Sequence, residues 1–278
     1  MTAYAITIVS PPDYIHSAAF DEVAETLHQG FLALGCDCIR TTEINITGRQ
    51  HIILGHNVLH LIATPLADDA IIYNLEQVQI GSPWFQTSTL DRLRRHTVWD
   101  YSADNALALA QLGIQVAHIM PIAYTPSLTR IPQHVSQDID VLFIGSLNER
   151  RQTTLNRMHD LGLSVVTGFG LYGEERDALI ARAKVILNHH FYDAKVLEMV
   201  RISYLLANHR TVLSEYSANP SDDAALMGAV AFAHYDDLPN AALQLVQNPF
   251  LRAELANKGF KLMQQRPITA HLQAIIST

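Results

Sequence analysis

Residues 184–215, KVILNHHFYDAKVLEMVRISYLLANHRTVLSE, decide the fold. The stretch opens with a short apolar run, KVILNH (184–189), and passes through a polar turn. It continues as a helix-period segment, DAKVLEMVRISYLLAN (193–208), and closes with a second apolar run, RTVLSE (210–215). Strands joined by a single crossover helix pair in parallel, with the helix laid on one face of the sheet. Downstream the alternation continues to AVAFAHY (229–235), and upstream through LSVVTG (163–168) and IDVLFIG (139–145). The first half repeats it with AITIV (5–9), CDCIRT (36–41), HIILG (51–55), AIIYNL (70–75), TVWDYS (97–102) and VAHIMPI (116–122). Between its first two runs lies a helix with Phe20, Val23, Ala24, Leu27, Phe31 and Leu34 on one stripe and Gly35 as its stop. The fold class expected is α/β, with two doubly wound, Rossmann-like parallel sheets covered on both faces by helices.

The stretch AYTPSLTRIPQHVSQD (123–138) has two prolines and no clear period, which places the linker there and divides the chain into 1–125 and 126–278. The C-terminal segment NPFLRAELANKGFKLMQQRPITAHLQAII (248–276) reads as helices broken at Pro267, the last of them able to cross back to the first domain. With 278 residues, 49% hydrophobic and 17% charged, the chain can bury a sizeable core. The 27 acidic against 19 basic residues give a formal charge of -8 with no polybasic block, so nucleic acid is not an expected partner. Only Cys36 and Cys38 are present, two apart in a predicted strand where a mutual disulfide is sterically awkward, which fits a reducing, cytoplasmic setting. The N-terminus lacks a basic n-region and no run approaches the ~18 apolar residues of a membrane span, so neither secretion nor integral membrane contact is expected.

In an open parallel sheet the ligand crevice lies at the carboxyl ends of the strands, where helix N-termini offer unpaired N–H groups and a positive dipole end. Two such sheets facing each other make a cleft. In the second half the loops concerned are GSLNERR (145–151), TGFGLYGEERD (167–177), NHHFYDAK (188–195) and SEYSANPSDD (214–223). Gly145, Gly168, Gly170 and Gly173 permit close backbone approach, and Arg150, Arg151 and Lys195 supply charge for an anion such as a diphosphate. The glycine pattern matches neither the dinucleotide fingerprint nor the P-loop. Lys195, Glu198 and Arg201 are spaced three apart on the predicted helix. An internal salt-bridge ladder accounts for them, and so does a glutamate that accepts a ribose's hydroxyls beside a phosphate held by Lys195 and helix amides.

The segment 184–215, together with IDVLFIGSLNERR (139–151) and YGEERDALIARAKVILN (172–188), resembles the donor site of GT-B glycosyltransferases, in particular a group of small bacterial members. The similarity is strongest from about 139 to 216 and takes in YNLEQ (73–77) and DYS (100–102). The resemblance implies transfer of a sugar from a nucleotide-diphosphate donor, bound by the C-terminal domain, to an acceptor hydroxyl on the N-terminal one. Glu198 corresponds to the ribose-binding glutamate, and Gly145, Ser146 and Arg150 to the loop that approaches the diphosphate. Lys195 assists, with Tyr172 and His190 completing the donor-side set. The chain departs from the family where its E-G-F-G stretch is replaced by His190, Phe191, Tyr192 and Asp193, and its A-C-G turn by Leu205, Leu206, Ala207 and Asn208.

In the first half Asp13, Tyr14 and His16 follow the first strand, His56 follows Gly55, and Glu76 with Gln77 follow AIIYNL. Inverting transfer needs a carboxylate or imidazole to take the acceptor proton, which makes Asp13, His16 and His56 the expected bases. No metal is expected: His189-His190 and Asp68-Asp69 are adjacent pairs, no zinc motif occurs, and the Asp138–Asp140 triplet precedes its strand and lies at the wrong end of the sheet. Helix N-termini with Arg150 and Lys195 would neutralise the leaving diphosphate, and no cofactor beyond the donor substrate is required. A glycan, lipid, peptide or small molecule would be the acceptor. A nucleotide- or sugar-binding protein without turnover, and a nucleotide-sugar epimerase, are the competing readings.

Overall fold

The computed structural model describes residues 2–62, 64–79, 85–192 and 194–276. Asp193, one of the four residues standing in place of the E-G-F-G stretch, lies outside them. The chain divides into two compact units, one built from the residues up to Thr125 with those from Pro267 onward, the other spanning Pro126–Arg266.

The first unit carries six parallel strands: β1 (Tyr4–Ile8), β2 (Cys38–Thr41), β3 (Gln50–Leu54), β4 (Ile71–Asn74), β5 (Thr97–Asp100) and β6 (His118–Ile119), in the order β2-β1-β3-β4-β5-β6. Three helices connect them, α1 (Asp21–Ala33), α2 (Thr87–Arg95) and α3 (Ala103–Gln111). The stripe predicted for α1 packs inward through the buried Val23, Ala24, Leu27 and Phe31, as its 3.6-residue period requires. Several strands are shorter than their apolar runs. β2 starts only at Cys38, and of 116–122 only His118–Ile119 pairs, because Pro121 cannot donate to a ladder. Cys36 and Cys38 are both free thiols, and burial pushes Cys38 up to about 12.

The C-terminal helix Ile268–Ile276 belongs to this unit. The Ile268 N–H donates to the Tyr124 carbonyl at 3.0 Å, and the helix lies so close to α1 that a Cβ on Gly30 would meet Leu272 at 2.7 Å and Ile268 at 2.8 Å. Glycine is required at that crossing.

The second unit holds β7 (Ile139–Ile144), β8 (Val165–Gly168), β9 (Ala183–Asn188), β10 (Val212–Glu215) and β11 (Ala231–Ala233), all parallel, in the order β11-β10-β9-β7-β8. Helices α4 (Glu149–Asp160), α5 (Gly173–Arg182), α6 (Met199–Ala207), α7 (Pro220–Ala224), α8 (Leu238–Gln247) and α9 (Pro249–Gln264) complete it. Its core joins Val141, Phe143, Val185, Leu187 and Leu213 of the sheet to Met158 of α4 and Leu238 of α8, all fully buried. The chain leaves β7 toward β8 and then returns to the other side of β7 as β9, so the order reverses between β7 and β9. That reversal is where a doubly wound sheet opens a crevice at its carboxyl edge.

The stretch read as a linker is tied down over much of its length. Buried Asn208 accepts from the Arg130 and Ile131 N–H groups at 2.8 Å each and donates to the Leu128 carbonyl at 2.8 Å. Thr129 adds a bond to the Ala207 carbonyl. Residues 128–131 are therefore part of the second unit, held by a side chain that satisfies three backbone groups of a segment with no ladder of its own.

Candidate functional site

At the carboxyl edge of the second sheet, Glu215 ends β10 and is 2% exposed, yet it is ionised. Burial opposes this, but hydrogen bonds from Arg150 and Lys195 overcome it and hold the carboxyl down at about 2. Arg150 grips both oxygens in a fork, Nη1 to Oε2 at 2.7 Å and Nη2 to Oε1, and the Lys195 Nζ stands 3.0 Å from Oε1. The Arg150 guanidinium also lies over the Tyr235 ring, 4.2 Å from its centroid. Lys195 is in the left-handed region at φ 45°, a strained turn that its ion pair helps to hold.

A second carboxylate, Glu198, shares another pair of cations. Arg201 Nη1 is 2.9 Å from one oxygen and Arg151 Nη2 3.5 Å from the other. Arg151 is nearly sealed from solvent, its guanidinium between the Phe143 and Phe191 rings at 5.0 and 5.1 Å, donating to the carbonyls of Ser146 and His189. Burial lowers it to about 10, so it stays charged at neutral pH. Asn148 caps α4 by accepting the Arg151 N–H at 2.9 Å, which puts both arginines in the first helical turn. Cations oppose the dipole at that end, and the two carboxylates compensate them there. Four cations against two carboxylates leave a surplus of two positive charges.

Gly145 follows β7 at φ 153°, and a Cβ there would stand 3.4 Å from Arg201 Nη2 and 3.5 Å from Arg151 Nη1. The glycine thus keeps the backbone clear beside the guanidinium groups. Exposed Ser146 follows it, and Tyr172 precedes the first residue of α5, beyond β8. His189 and His190 are both buried. His189 is held neutral at about 4 by burial, with Nε2 3.0 Å from the Thr154 hydroxyl. His190 is also lowered by burial, against the pull of Glu198 and Glu215, and neither ring nitrogen has a partner of hydrogen-bond geometry among the described residues.

One local prediction is corrected here. Lys195, Glu198 and Arg201 do not share a helix face, because α6 begins only at Met199. Glu198 is the residue before its first turn, and Lys195 sits in the preceding loop and pairs with Glu215 instead. Of the predicted ladder only the Glu198–Arg201 rung forms. Asp138 and Asp140 stand at the amino end of β7, paired with Arg182 and Lys184. Among the described residues no three His, Cys, Asp or Glu side chains come together as a metal-ligand set.

The first unit's carboxyl edge is built differently. Asn74 ends β4 and Asp100 ends β5, and Asn74 Nδ2 donates to Asp100 Oδ2 at 2.6 Å. The other Asp100 oxygen accepts from the Ser102 N–H at 2.8 Å and from Asn105 Nδ2 at 3.1 Å. Burial pushes Asp100 up to about 7 in spite of these donors. Asn74 Oδ1 accepts the Glu76 N–H at 3.2 Å and meets His56 Nε2 at 2.8 Å, so Nε2 carries the His56 proton. The Glu76 carbonyl accepts from both Asn74 and Asn105. Its side chain keeps part of its surface open, one oxygen accepting from Asn57 Nδ2 at 3.1 Å, and burial alone raises it to about 7.

The three expected bases fall in different places. Asp13 is exposed and left-handed at φ 60°, and His16 lies half-buried in the 3-10 turn Ile15–Phe20 with its ring 5.4 Å from Tyr14. His56 is corrected: it is 1% exposed, held neutral at about 4 by burial, and its Nδ1 is enclosed without a partner. A ring with no accessible nitrogen cannot take a proton from an incoming hydroxyl, and His56 instead supports Asn74. Sequence reasoning included Asn74, Asp100 and Glu215 in the stretches YNLEQ, DYS and SEYSANPSDD but gave none of them a role, and it passed over Asn105. The first two and Glu215 each end an otherwise apolar run with a polar residue, a legible signal, whereas Asn105 has none.

No family model matches the chain. It is 29% identical over 185 residues to the uncharacterized protein L140 of Acanthamoeba polyphaga mimivirus, a match covering 64% of this chain and 59% of that relative's length. The structure resembles Anabaena HepE, solved with UDP and glucose, at a TM-score of 0.60 and 11% identity, covering 100% of each chain. It also resembles T4 phage β-glucosyltransferase at a TM-score of 0.56 and 12% identity, over 99% of this chain and 98% of the other. The fold is therefore the two-domain GT-B fold shared by these glycosyltransferases. No helix among the described residues is long and apolar enough to cross a membrane.

Proposed function

We propose that the chain transfers a sugar from a nucleoside-diphosphate donor to an acceptor hydroxyl without a metal ion, with the donor on the carboxyl edge of the second unit and the acceptor on that of the first. The observation that carries this reading is the surplus of two positive charges around Glu198 and Glu215, set where the strand order reverses. A diphosphate has the complementary charge, and guanidinium groups with helix amides stabilise the charge that grows on it as the glycosidic bond breaks. Arg150 and Lys195 are 30% and 38% exposed, so each can reach an anion while still tied to Glu215. Glu198, 17% exposed in front of α6, would accept ribose hydroxyls in this reading. Anabaena HepE, solved with UDP and glucose on the same fold, supports the donor class. The acceptor is a glycan, lipid, peptide or small molecule.

A second reading, nucleotide-sugar binding without turnover, draws on the engagement of both Arg150 and Lys195 by Glu215. A thermal-shift screen with UDP, GDP, TDP and CMP separates binding from none, since a ligand at 100-fold over its Kd adds ~2.7 kcal/mol of stability. Nucleotide release from a donor panel, with and without acceptor glycosides, then separates transfer from storage. A wild-type protein that answers none of the nucleotides rules out both readings. Glu198→Ala and Lys195→Ala should each weaken the nucleotide that binds by about tenfold or more.

A further inference from the structure

The first unit's edge holds a carboxylate that the donor reading leaves without a task. Glu76 sits two residues beyond β4, and its short loop is stapled to the sheet at both backbone groups: its N–H donates to Asn74 Oδ1, and its carbonyl accepts from Asn74 and Asn105. Asn105 in turn accepts the Val78 N–H at 3.0 Å and donates to Asp100. The position of the Glu76 backbone is thus determined by two amide side chains and, behind them, a buried aspartate, which is far more anchoring than a surface glutamate needs. The side chain itself is left nearly unengaged, with Asn57 as the one hydrogen-bond donor to its carboxylate among the described residues and no cation paired with it.

From this geometry we infer that Glu76 is the general base of the transfer, taking the proton of the acceptor hydroxyl. The assignment rests on the donor–acceptor reading above and names the residue that completes it. As the acceptor oxygen bonds to the anomeric carbon, its proton passes to the Glu76 carboxylate. The bond from the anomeric carbon to the diphosphate oxygen breaks with its electron pair leaving on the nucleoside diphosphate, and the anomeric configuration inverts. Glu76 then returns its proton to solvent.

The groups around Glu76 suit this task. Tyr14, from the loop after β1, carries a phenol raised by burial and by Glu76 itself, so it is neutral at working pH and adds no charge. His56 and Asn57, from the turn after β3, are neutral, and Arg92 of α2 is spent on the His56 carbonyl. Asp100 lies behind the amides. With no cation to hold it down, burial brings the Glu76 carboxyl to about 7, near the pH at which a base both exists ionised and accepts a proton readily.

The test compares wild type with Glu76→Gln, which keeps the acceptor oxygen facing Asn57. The donor is the one that the nucleotide screen selects, and the acceptors are a panel of methyl glycosides and 4-nitrophenol, whose hydroxyl is ionised at pH 8. Transfer to the methyl glycosides should fall by about 10²–10⁴-fold, while nucleotide affinity is unchanged and 4-nitrophenolate is glycosylated at near wild-type rate. The acid limb of wild-type kcat/KM, centred near pH 7, should vanish in the variant, and the wild-type product should have inverted configuration. A variant within threefold of wild type from pH 5.5 to 8.5, an equal loss on both acceptor types, or a product of retained configuration each overturns the assignment of Glu76 while leaving the donor reading intact. Failure of wild type to bind or turn over any donor overturns both.

Discussion

The two carboxyl edges handle buried acids in opposite ways. On the second unit Glu215 is sealed from solvent but meets Arg150 and Lys195, and it is driven down to about 2. On the first, Asp100 is just as sealed but meets only amides and a backbone N–H, and both it and Glu76 rise to about 7. The same fold thus prepares one edge to hold a fixed charge and the other to exchange a proton. The choice is made by which side chains end the neighbouring strands and begin the following helices. A cation in the first turn of α4 ionises the acid facing it, and an asparagine at the end of β4 leaves its neighbour to burial.

The contrast is most exposed to failure at Glu215. Glu215→Ala leaves Arg150 and Lys195 without their counter-charge and should destabilise the protein by about 2–4 kcal/mol in urea unfolding, somewhat below a fully buried pair because both cations reach solvent. A loss under about 1 kcal/mol would show that the ion pairs do not hold that edge. Asn74→Ala should be next, at about 2–3 kcal/mol, since it strands His56, one Asp100 oxygen and the Glu76 N–H together.

The pH dependence sharpens the comparison further. Between the ordinary carboxylate value of 4.5 and about 7, native Glu76 keeps a proton that the unfolded chain releases, so its contribution to stability declines as pH rises through that window. Glu215 behaves in reverse: its contribution is complete above 4.5 and is lost as pH falls toward 2. Glu76→Gln should therefore raise stability by about 1–3 kcal/mol at pH 8 and by nothing measurable at pH 4. An equal gain at both pH values would mean that the carboxyl is not titrating. The smallest effect is expected at His190, whose buried ring nitrogens have no partner of hydrogen-bond geometry among the described residues. His190→Phe removes that penalty and should change stability by less than about 1 kcal/mol, while Thr154→Val, which takes the partner from His189, should lose more.

Much of this was legible from residue order. Strand and helix alternation, the division near 125, and the candidates Gly145, Arg150, Lys195 and Glu198 all follow from local pattern, because an apolar run and its flanking loop are neighbours in the chain. The partners of those residues did not follow. Lys195 finds Glu215 twenty residues on rather than Glu198 three residues on, since α6 begins after Glu198 and not before it. His56, one of the two imidazoles read as candidate bases, is enclosed by the turn that it starts.

Sequence alone determined that parallel strands carry polar loops at their carboxyl ends, because side-chain period and strand direction are local properties of the chain. Only the tertiary structure decided what each acid faces there: β4 beside β5 brings Asn74 to Asp100, and the first turn of α4 brings Arg150 to Glu215 at the end of β10. A carboxyl's proton affinity depends on groups within a few ångströms in space, and those groups come from residues that can be anywhere in the chain.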